Sequence, residues 1–264
     1  MGLPAGWLLP DWPAPAGVRA VCSTRAGGAS LPPYDSFNLG DHVGDSPAAV
    51  AANRAAYASA CGAHPVFLQQ VHGSHTVLLD KATPDGTQAD ACVATQRGLA
   101  CTIMVADCLP VLLCASDGSA VAAAHAGWRG LAGDVQDGGQ GVLEQVLERF
   151  WREARVPRSF VAIKTIAWLG PCIGPKAFEV GPEVKAAFEA EDAGAAAMFS
   201  PHGEGKWLAN LPGLARRRLA AQGVTQVYGN DGSDAWCTVA NPSRFFSHRR
   251  DRLSGRFAAS VWLD

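Results

Sequence analysis

Leu99-Ala100-Cys101-Thr102-Ile103-Met104-Val105-Ala106-Asp107-Cys108-Leu109-Pro110-Val111-Leu112-Leu113-Cys114 is the stretch whose reading decides the fold. Taken whole, it is the best candidate for a membrane span, but Asp107 interrupts it and it is too short to cross a bilayer. Divided at Asp107, it becomes two runs, 99–105 and 109–114, of strand length and rich in Val, Leu and Ile. The runs 65–71, 75–80 and 119–125 have the same character, so this part of the chain reads as five strands.

Working outward, residues 17–23 read as a first strand, and a loop rich in Gly, Pro, Asp and Asn runs from Arg25 to Asp45. That loop is too long for a simple connector and is expected to line a site. Ser46-Pro47 opens an alanine-rich helix, with Ser as N-cap, and Gly62 ends it. Residues 135–153 return to helical spacing, with Val142, Leu143, Val146, Leu147 and Phe150 on one face. Residues 159–169 read as a strand, and Pro182 and Pro212 each mark a helix start. Residues 224–228, 235–240, 244–248 and 256–262 read as closing strands. The order is mixed rather than regularly alternating, which predicts an α+β fold over a doubly wound sheet.

The 264 residues carry no Pro/Ser/Gly-rich linker in the middle, so one domain over 1–264 is expected. Lys+Arg 22 against Asp+Glu 24 leaves a net charge of −2 with no basic stripe, which argues against nucleic acid as a partner. Hydrophobic residues at 48% supply ample core material for a soluble protein, with no membrane association expected. The 8 cysteines lie largely in apolar, strand-like runs, and the Met1–Pro10 stretch lacks the basic region of a secretory leader. Reduced thiols and a cytoplasmic location follow.

His72, Cys108 and His125 stand at the ends of three of these strand runs. Two imidazoles and a thiolate make a soft three-ligand set. Such a set leaves the fourth tetrahedral position open, as a catalytic zinc requires and a structural zinc does not. Taken singly, each has an ordinary reading: a hydrogen-bonded polar histidine, or a small core hydrophobe for the cysteine. Their separations are not those of a zinc finger. Asp107, a carboxylate inside an apolar run, is costly to bury unbonded and is expected to orient a neighbour.

A family resemblance joins these residues. Tyr34-Asp35-Ser36-Phe37-Asn38-Leu39-Gly40-Asp41-His42-Val43-Gly44-Asp45 resembles the front loop of the YfiH/LACC1 family, also called DUF152 or the multicopper polyphenol oxidase family. So do Gln69-Gln70-Val71-His72-Gly73, Ala89-Asp90-Ala91, Asp107-Cys108-Leu109-Pro110-Val111-Leu112 and His125-Ala126-Gly127-Trp128-Arg129-Gly130. Gly170-Pro171-Cys172-Ile173-Gly174, Phe178-Glu179-Val180-Gly181 and Phe246-Ser247-His248-Arg249-Arg250-Asp251 complete a match that runs in order along nearly the whole chain. Two departures stand out: His75 occupies a position usually not histidine, and Arg252-Leu253-Ser254 replaces a commoner Gly-containing stretch. His75 reads as an exposed strand-start residue before it reads as an extra ligand.

The resemblance implies zinc held by His72, Cys108 and His125. It implies phosphorolysis of adenosine, inosine, guanosine and methylthioadenosine, and deamination of adenosine. It implies β-sheets flanked by helices, as in toxin deamidases that use a Cys–His pair. A laccase-like oxidase activity is attached to the family's name, and peptidoglycan-precursor editing to some bacterial members. The expected partners are a purine nucleoside and phosphate, with the oligomeric state left open.

Around the three ligands, Asn38 and Gln70 are candidates for a purine edge or ribose, and Arg129, Arg249 and Arg250 for bidentate phosphate contact. Arg25 with Gly27-Gly28 reads as an anion-binding turn, His42 and His248 as wall residues, and Trp128 and Phe37 as stacking or core aromatics. Three chemistries stay open on one residue set. The first is a zinc enzyme acting on purine nucleosides. The second is a copper polyphenol oxidase, since His–Cys–His resembles a blue-copper set. A multicopper laccase needs many more imidazoles than the 7 of this chain. The third is a hydrolase with Cys108 as thiolate nucleophile and His125 or His72 as base.

Overall fold

The computed structural model describes residues 4–133, 139–160 and 164–264. Its strands are β1 (Val18–Cys22), β2 (His64–Phe67), β3 (Thr76–Leu78), β4 (Ala91–Ala94), β5 (Leu99–Val105), β6 (Leu109–Ala115) and β7 (Val121–Ala126), then β8 (Thr165–Leu169), β9 (Glu179–Val180), β10 (Phe199–Pro201), β11 (Trp207–Ala209), β12 (Gln226–Gly229) and β13 (Phe257–Leu263). The helices are α1 (Pro47–Cys61), α2 (Trp128–Ala132), α3 (Val142–Glu153), α4 (Pro182–Glu191), α5 (Leu211–Ala221) and α6 (His248–Asp251). The fold is α+β, with mixed sheets and helices on both sides.

The break at Asp107 is where the chain leaves one sheet for another. β5 lies in a four-stranded sheet ordered β1-β13-β5-β2, antiparallel to β13 and parallel to β2. β6 enters a six-stranded sheet ordered β12-β8-β6-β7-β4-β3. Every residue of both strands is buried, because each sheet is covered on both faces. Alternation then assigns the faces. Cys101, Ile103 and Val105 of β5 meet Leu112 and Cys114 of β6 in a core between the sheets. Val111, Leu113 and Ala115 point the other way, toward Val142, Val146, Leu147 and Phe150 of α3. Ala100 and Met104 face outward under Tyr57 of α1 and Phe37 of the front loop. The order of layers is therefore helix, sheet, sheet, helix.

Local chemistry explains most boundaries. Pro47 opens α1, and Gly62 closes it at φ 65° with its N–H on the Ala58 carbonyl. Ser46 occupies the N-cap position but makes no side-chain cap bond. The β6–β7 hairpin places Cys114 opposite Val121 and Leu109 opposite Ala126. β2 ends at Phe67, whose N–H is taken by the Asp85 carboxylate at 2.9 Å. The expected helix over 135–153 is α3 from Val142, its stretch 135–138 lying outside the described residues. The expected strand 159–169 is β8 from Thr165, with 161–163 likewise outside and a 3₁₀ turn at Arg158–Phe160.

Two expected strands are absent. Segment 235–240 makes a 3₁₀ turn at Asp234–Trp236 and a single bridge, Cys172 to Cys237. Segment 244–248 runs into α6, capped by Ser247, whose Oγ accepts the Arg250 N–H at 3.1 Å. The first spends a hydroxyl on the loop around Asp107, Thr238 donating to Oδ1 at 2.5 Å, and the second leads directly into Arg249, whose N–H donates to Oδ2 at 2.6 Å.

Leu113 is fully buried between the six-stranded sheet and α3. Leu113→Ala is expected to cost roughly 2–5 kcal/mol, through lost transfer energy and a residual cavity. Urea unfolding should show this as a lower midpoint at unchanged slope.

Candidate metal centre and its cavity

The six-stranded sheet delivers two of the three expected ligands side by side. Cys108 enters β6 next to Leu109, and His125 lies near the end of β7 opposite Pro110. The third, His72, is carried on a turn whose residue sits at φ 62°. One donor atom from each of His72, Cys108 and His125 lies within 4.8 Å of the other two. The two imidazoles meet edge to face with centroids 4.7 Å apart. His125 is buried, Cys108 is half-buried and His72 is exposed, so the cluster has one open side.

Asp90, fully buried just before β4, holds this arrangement. Its Oδ1 lies 2.9 Å from His125 Nδ1 and accepts the His72 N–H at 2.9 Å. Its Oδ2 accepts the N–H of Gly73 at 2.7 Å and of Val71 at 3.2 Å. Three successive backbone N–H groups thus wrap one carboxylate, which stabilises the left-handed turn at His72. Burial pushes the Asp90 carboxyl up, but the His125 hydrogen bond and charge, with the Gly73 and Val71 N–H groups, bring it below the ordinary value.

Two glycines clear the space. A Cβ on Gly127 would stand 2.8 Å from His72 Cδ2 and 3.1 Å from Cys108 Sγ. A Cβ on Gly130 would stand 2.4 Å from the Gly73 carbonyl oxygen. Electrostatics reinforce the cluster. Burial alone would raise the Cys108 thiol, yet His125 and then His72 outweigh it and bring it down to about 6. Burial alone would lower His125, yet the Cys108 thiolate and Asp90 raise it to about 9. Thiolate and imidazolium therefore stabilise each other where no cation lies between them.

The cluster opens onto a cavity of about 380 Å³. Among the sequence-predicted residues, Gln70, Arg129, Arg249, His42, His248 and Trp128 line it. Gln70 is pinned by the backbone of Met104, donating to its carbonyl and accepting its N–H, both at 2.8 Å. Arg129 lies over the Trp128 ring at 4.5 Å. The structure does not bring Asn38, Arg250, Arg25 or Phe37 to the cavity lining. Asn38 is fully buried, bonded to both backbone groups of Gly40 and to the Arg256 N–H. Arg250 is bonded to the carbonyls of Thr238 and Phe245 and to Asp251, and Arg25 to Asp35 and Pro242. Phe37 is in the core beneath α1. His75 lies outside the ligand cluster.

The sequence reading missed the part played by Asp90, although a lone carboxylate before Ala91-Cys92-Val93 is the same kind of signal as Asp107. It also missed Gly127, Arg252 and Arg256, the last two being cavity residues. The donor set fits a metal. With Nδ1 committed to Asp90, His125 has Nε2 left for coordination, the carboxylate–histidine pairing that zinc sites use. His72, Cys108 and His125 then supply three ligands of the types zinc takes, with a fourth position toward the cavity.

Fold and site thus define an α+β protein with a His–Cys–His candidate metal centre at the base of a cationic cavity. The profile described as "Multi-copper polyphenol oxidoreductase laccase" matches residues 19–264. The chain belongs to this family, that of YfiH and DUF152. It is 48% identical over 258 residues to the Escherichia coli protein named purine nucleoside phosphorylase YfiH, covering 97% of this chain and 98% of that one. A Pseudomonas aeruginosa protein also named purine nucleoside phosphorylase is 47% identical with the same coverage. A Neisseria meningitidis DUF152 structure superposes with TM-score 0.87 at 44% identity, covering 98% of this chain and 99% of that one. YlmD from Geobacillus stearothermophilus gives 0.85 at 26% identity, covering 100% and 98%.

A metal held by His72, Cys108 and His125 should bind about 10–100-fold more weakly in Gly127→Ala, since the new methyl displaces the His72 and Cys108 side chains. The melting temperature of the metal-free protein should stay within a few degrees of the parent. Competition with a chromogenic chelator reads the first and thermal unfolding the second.

The Cys108–His125 pair also sets a pH window. A depressed thiol contributes stability that is lost as pH falls through about 6. A raised imidazole contributes stability that is lost as pH rises through about 9. Between these limits the metal-free parent should gain most over Cys108→Ser, and the gain should fade on both sides. Thermal melts across pH, with thiolate ultraviolet absorbance as a second readout, check this.

Proposed function

We propose that this chain is a zinc-dependent purine nucleoside enzyme. Its reactions are phosphorolysis of adenosine, inosine, guanosine and methylthioadenosine, with adenosine deamination at the same site. The observation that carries the reading is the convergence of His72, Cys108 and His125 at the base of an arginine-lined cavity, in a chain whose near-full-length relatives are named purine nucleoside phosphorylase. His72, Cys108 and His125 would hold the metal, and bound zinc supplies a Lewis acid able to lower the pKa of water toward ~7.

In phosphorolysis a phosphate oxygen forms the new bond to ribose C1′. The N-glycosidic bond breaks, its electron pair leaves on the purine nitrogen, and the purine takes up a proton. The transition state is oxocarbenium-like at the ribose and demands oriented anionic charge beside it. Arg129 and Arg249 present guanidinium groups suited to holding phosphate there. Trp128, Phe178 and Ile173 supply apolar wall for a purine, and the fixed Gln70 amide keeps one N–H and one lone pair for a polar edge. Asp90 holds His125 in one orientation and tautomer. The eight free thiols support a reducing, cytoplasmic setting. Among the described residues no helix is long and apolar enough to cross a membrane.

The copper reading draws on the family's name and on a donor set copper also accepts. A laccase requires a trinuclear cluster besides. Among the described residues, which include all 7 histidines, only one group of three or more donors converges.

The test pairs metal analysis with product chromatography on adenosine and inosine, with and without phosphate. The expected result is zinc near one equivalent and phosphate-dependent release of free base with ribose 1-phosphate. Inosine from adenosine should form without phosphate. Cys108→Ala should stay folded and lose turnover by about 100-fold or more, since losing a ligand costs at least what losing an outer partner does. Turnover that survives chelation would transfer the chemistry to Cys108 as a thiolate nucleophile. Copper at one equivalent with phenol oxidation would overturn the zinc assignment.

A further inference from the structure

Arg252 sits at φ 61° and ψ −59°, a conformation that residues with a Cβ rarely adopt. The Leu253 N–H reaches back to the Asp251 carbonyl at 2.7 Å, closing a γ-turn with Arg252 at its centre. This is the strained form of that turn, not the common inverse form. Strain of this kind persists only where the surroundings impose it, and it concentrates at ligand clamps. Here the turn closes α6, with the Arg252 N–H on the His248 carbonyl at 2.8 Å, and puts the arginine side chain into the wall of the cavity.

Three other guanidiniums line that cavity, and each has an occupation. Arg129 stacks on Trp128, Arg249 donates to the Glu179 carbonyl at 2.9 Å, and Arg256 donates to the carbonyls of Ser254 and Gly255. Among the described residues, the Arg252 guanidinium has neither a hydrogen bond nor an ion pair. Its neighbour Asp251 is taken by Arg250 through two contacts of 2.7 Å. The one carboxylate in the lining, Asp107, is satisfied by Thr238 and by the Arg249 N–H. The wall therefore holds four permanent positive charges and one carboxylate. Arg129 and Arg252 both keep every donor free among the described residues, but Arg129 is held against the Trp128 ring. Arg252 therefore carries the one guanidinium of the four with neither a hydrogen bond nor a ring partner there, in the fork geometry that matches a phosphate bidentately.

We propose that Arg252 is a specificity-determining residue of this cavity, binding a phosphate group of the ligand. The proposal rests on the purine nucleoside reading for the rest of that ligand. The phosphate has two possible sources: free inorganic phosphate, the co-substrate of phosphorolysis, or a phosphate already carried on the nucleoside at its 5′ position.

The test compares the parent with Arg252→Gly and Arg252→Gln. Calorimetric titration uses inorganic phosphate and adenosine 5′-monophosphate separately, and is accompanied by thermal melts. Glycine removes the guanidinium and relaxes the γ-turn; glutamine removes the charge and keeps the Cβ. Both variants should bind the recognised anion about tenfold or more weakly, the scale of a charge-assisted hydrogen-bonded contact. Arg252→Gly should melt no lower than the parent, and higher by about 2–4 °C if strain relief exceeds the freedom glycine adds to the unfolded chain. A purely structural arginine would show the opposite pairing, lower melting with unchanged affinity, and that overturns the proposal.

A loss confined to inorganic phosphate assigns Arg252 to the co-substrate, and a loss confined to the monophosphate assigns it to the 5′ end. A parent that binds neither anion, or variants that bind both as the parent does, overturn the assignment. If anion binding depends on Arg252 but no nucleoside is turned over, the nucleoside reading fails and the phosphate site stands. If turnover is found and the variants bind normally, the reverse holds.

Discussion

A carboxylate with no exposed surface must be compensated, and Asp90 shows what that compensation builds. Stripping water from an ion of this size costs several kcal/mol even after relaxation. Four hydrogen bonds repay it: three from the backbone of residues 71–73 and one from His125. Hydrogen bonds to a charged group contribute about 1.5–3 kcal/mol each, so the sum is of the order of the penalty. The balance holds only while all four bonds are made. That makes the His72 turn and the His125 ring orientation a single condition, and the left-handed backbone at His72 is the geometry that lets three N–H groups converge. Two of the three candidate ligands are thus placed by one buried charge, which itself lies next to β4 in the sheet that carries His125 and is followed by Cys108's strand two positions away.

Much of this was legible because burial leaves a period. Runs covered on both faces read as unbroken apolar strands, and 99–105 and 109–114 emerge as β5 and β6 with boundaries nearly unchanged. Proline and glycine signals located α1, and the apolar stripe 142–150 located α3. The two failures at 235–240 and 244–248 share one cause. Their Trp, Val and Phe side chains carry strand propensity, but the Thr238 hydroxyl in the first and the Arg249 N–H directly after the second are drawn to Asp107, 131 and 142 residues away along the chain. Propensity is local, and such a partner is invisible to it.

The candidate site divides along the same line. Ligand identity follows from side-chain chemistry, so His72, Cys108 and His125 were readable as a soft donor set. What surrounds them depends on where a long side chain ends, which residue type alone does not decide. Arg249 and Arg250 are adjacent and chemically identical. Yet one lines the cavity, and the other is spent on the carbonyls of Thr238 and Phe245. Asn38 carries the amide expected of a base-binding residue, but the same amide closes its own loop through Gly40 and fixes the backbone of Arg256. Its contribution to the cavity is therefore indirect.

Asp107 joins the two halves of the site. Its backbone, at φ 95°, turns the chain from one sheet into the other and sets Cys108 at the start of β6. Its carboxylate accepts the Arg249 N–H, and its carbonyl accepts the Ile173 N–H at 2.8 Å. Cys108, Arg249 and Ile173 all line the cavity. One residue therefore fixes a candidate metal ligand, a cationic wall and an apolar wall relative to each other. Candidate ligands held by strand ends and by the Asp90-bound turn tolerate little displacement, since a site held even 1 Å too loosely loses its function. The arginines, on long side chains over the cavity, supply charge whose direction can adjust. A rigid donor set at the base and a cationic wall tied to it through Asp107 suit a reaction in which the scissile bond must be placed narrowly and the anion held nearby.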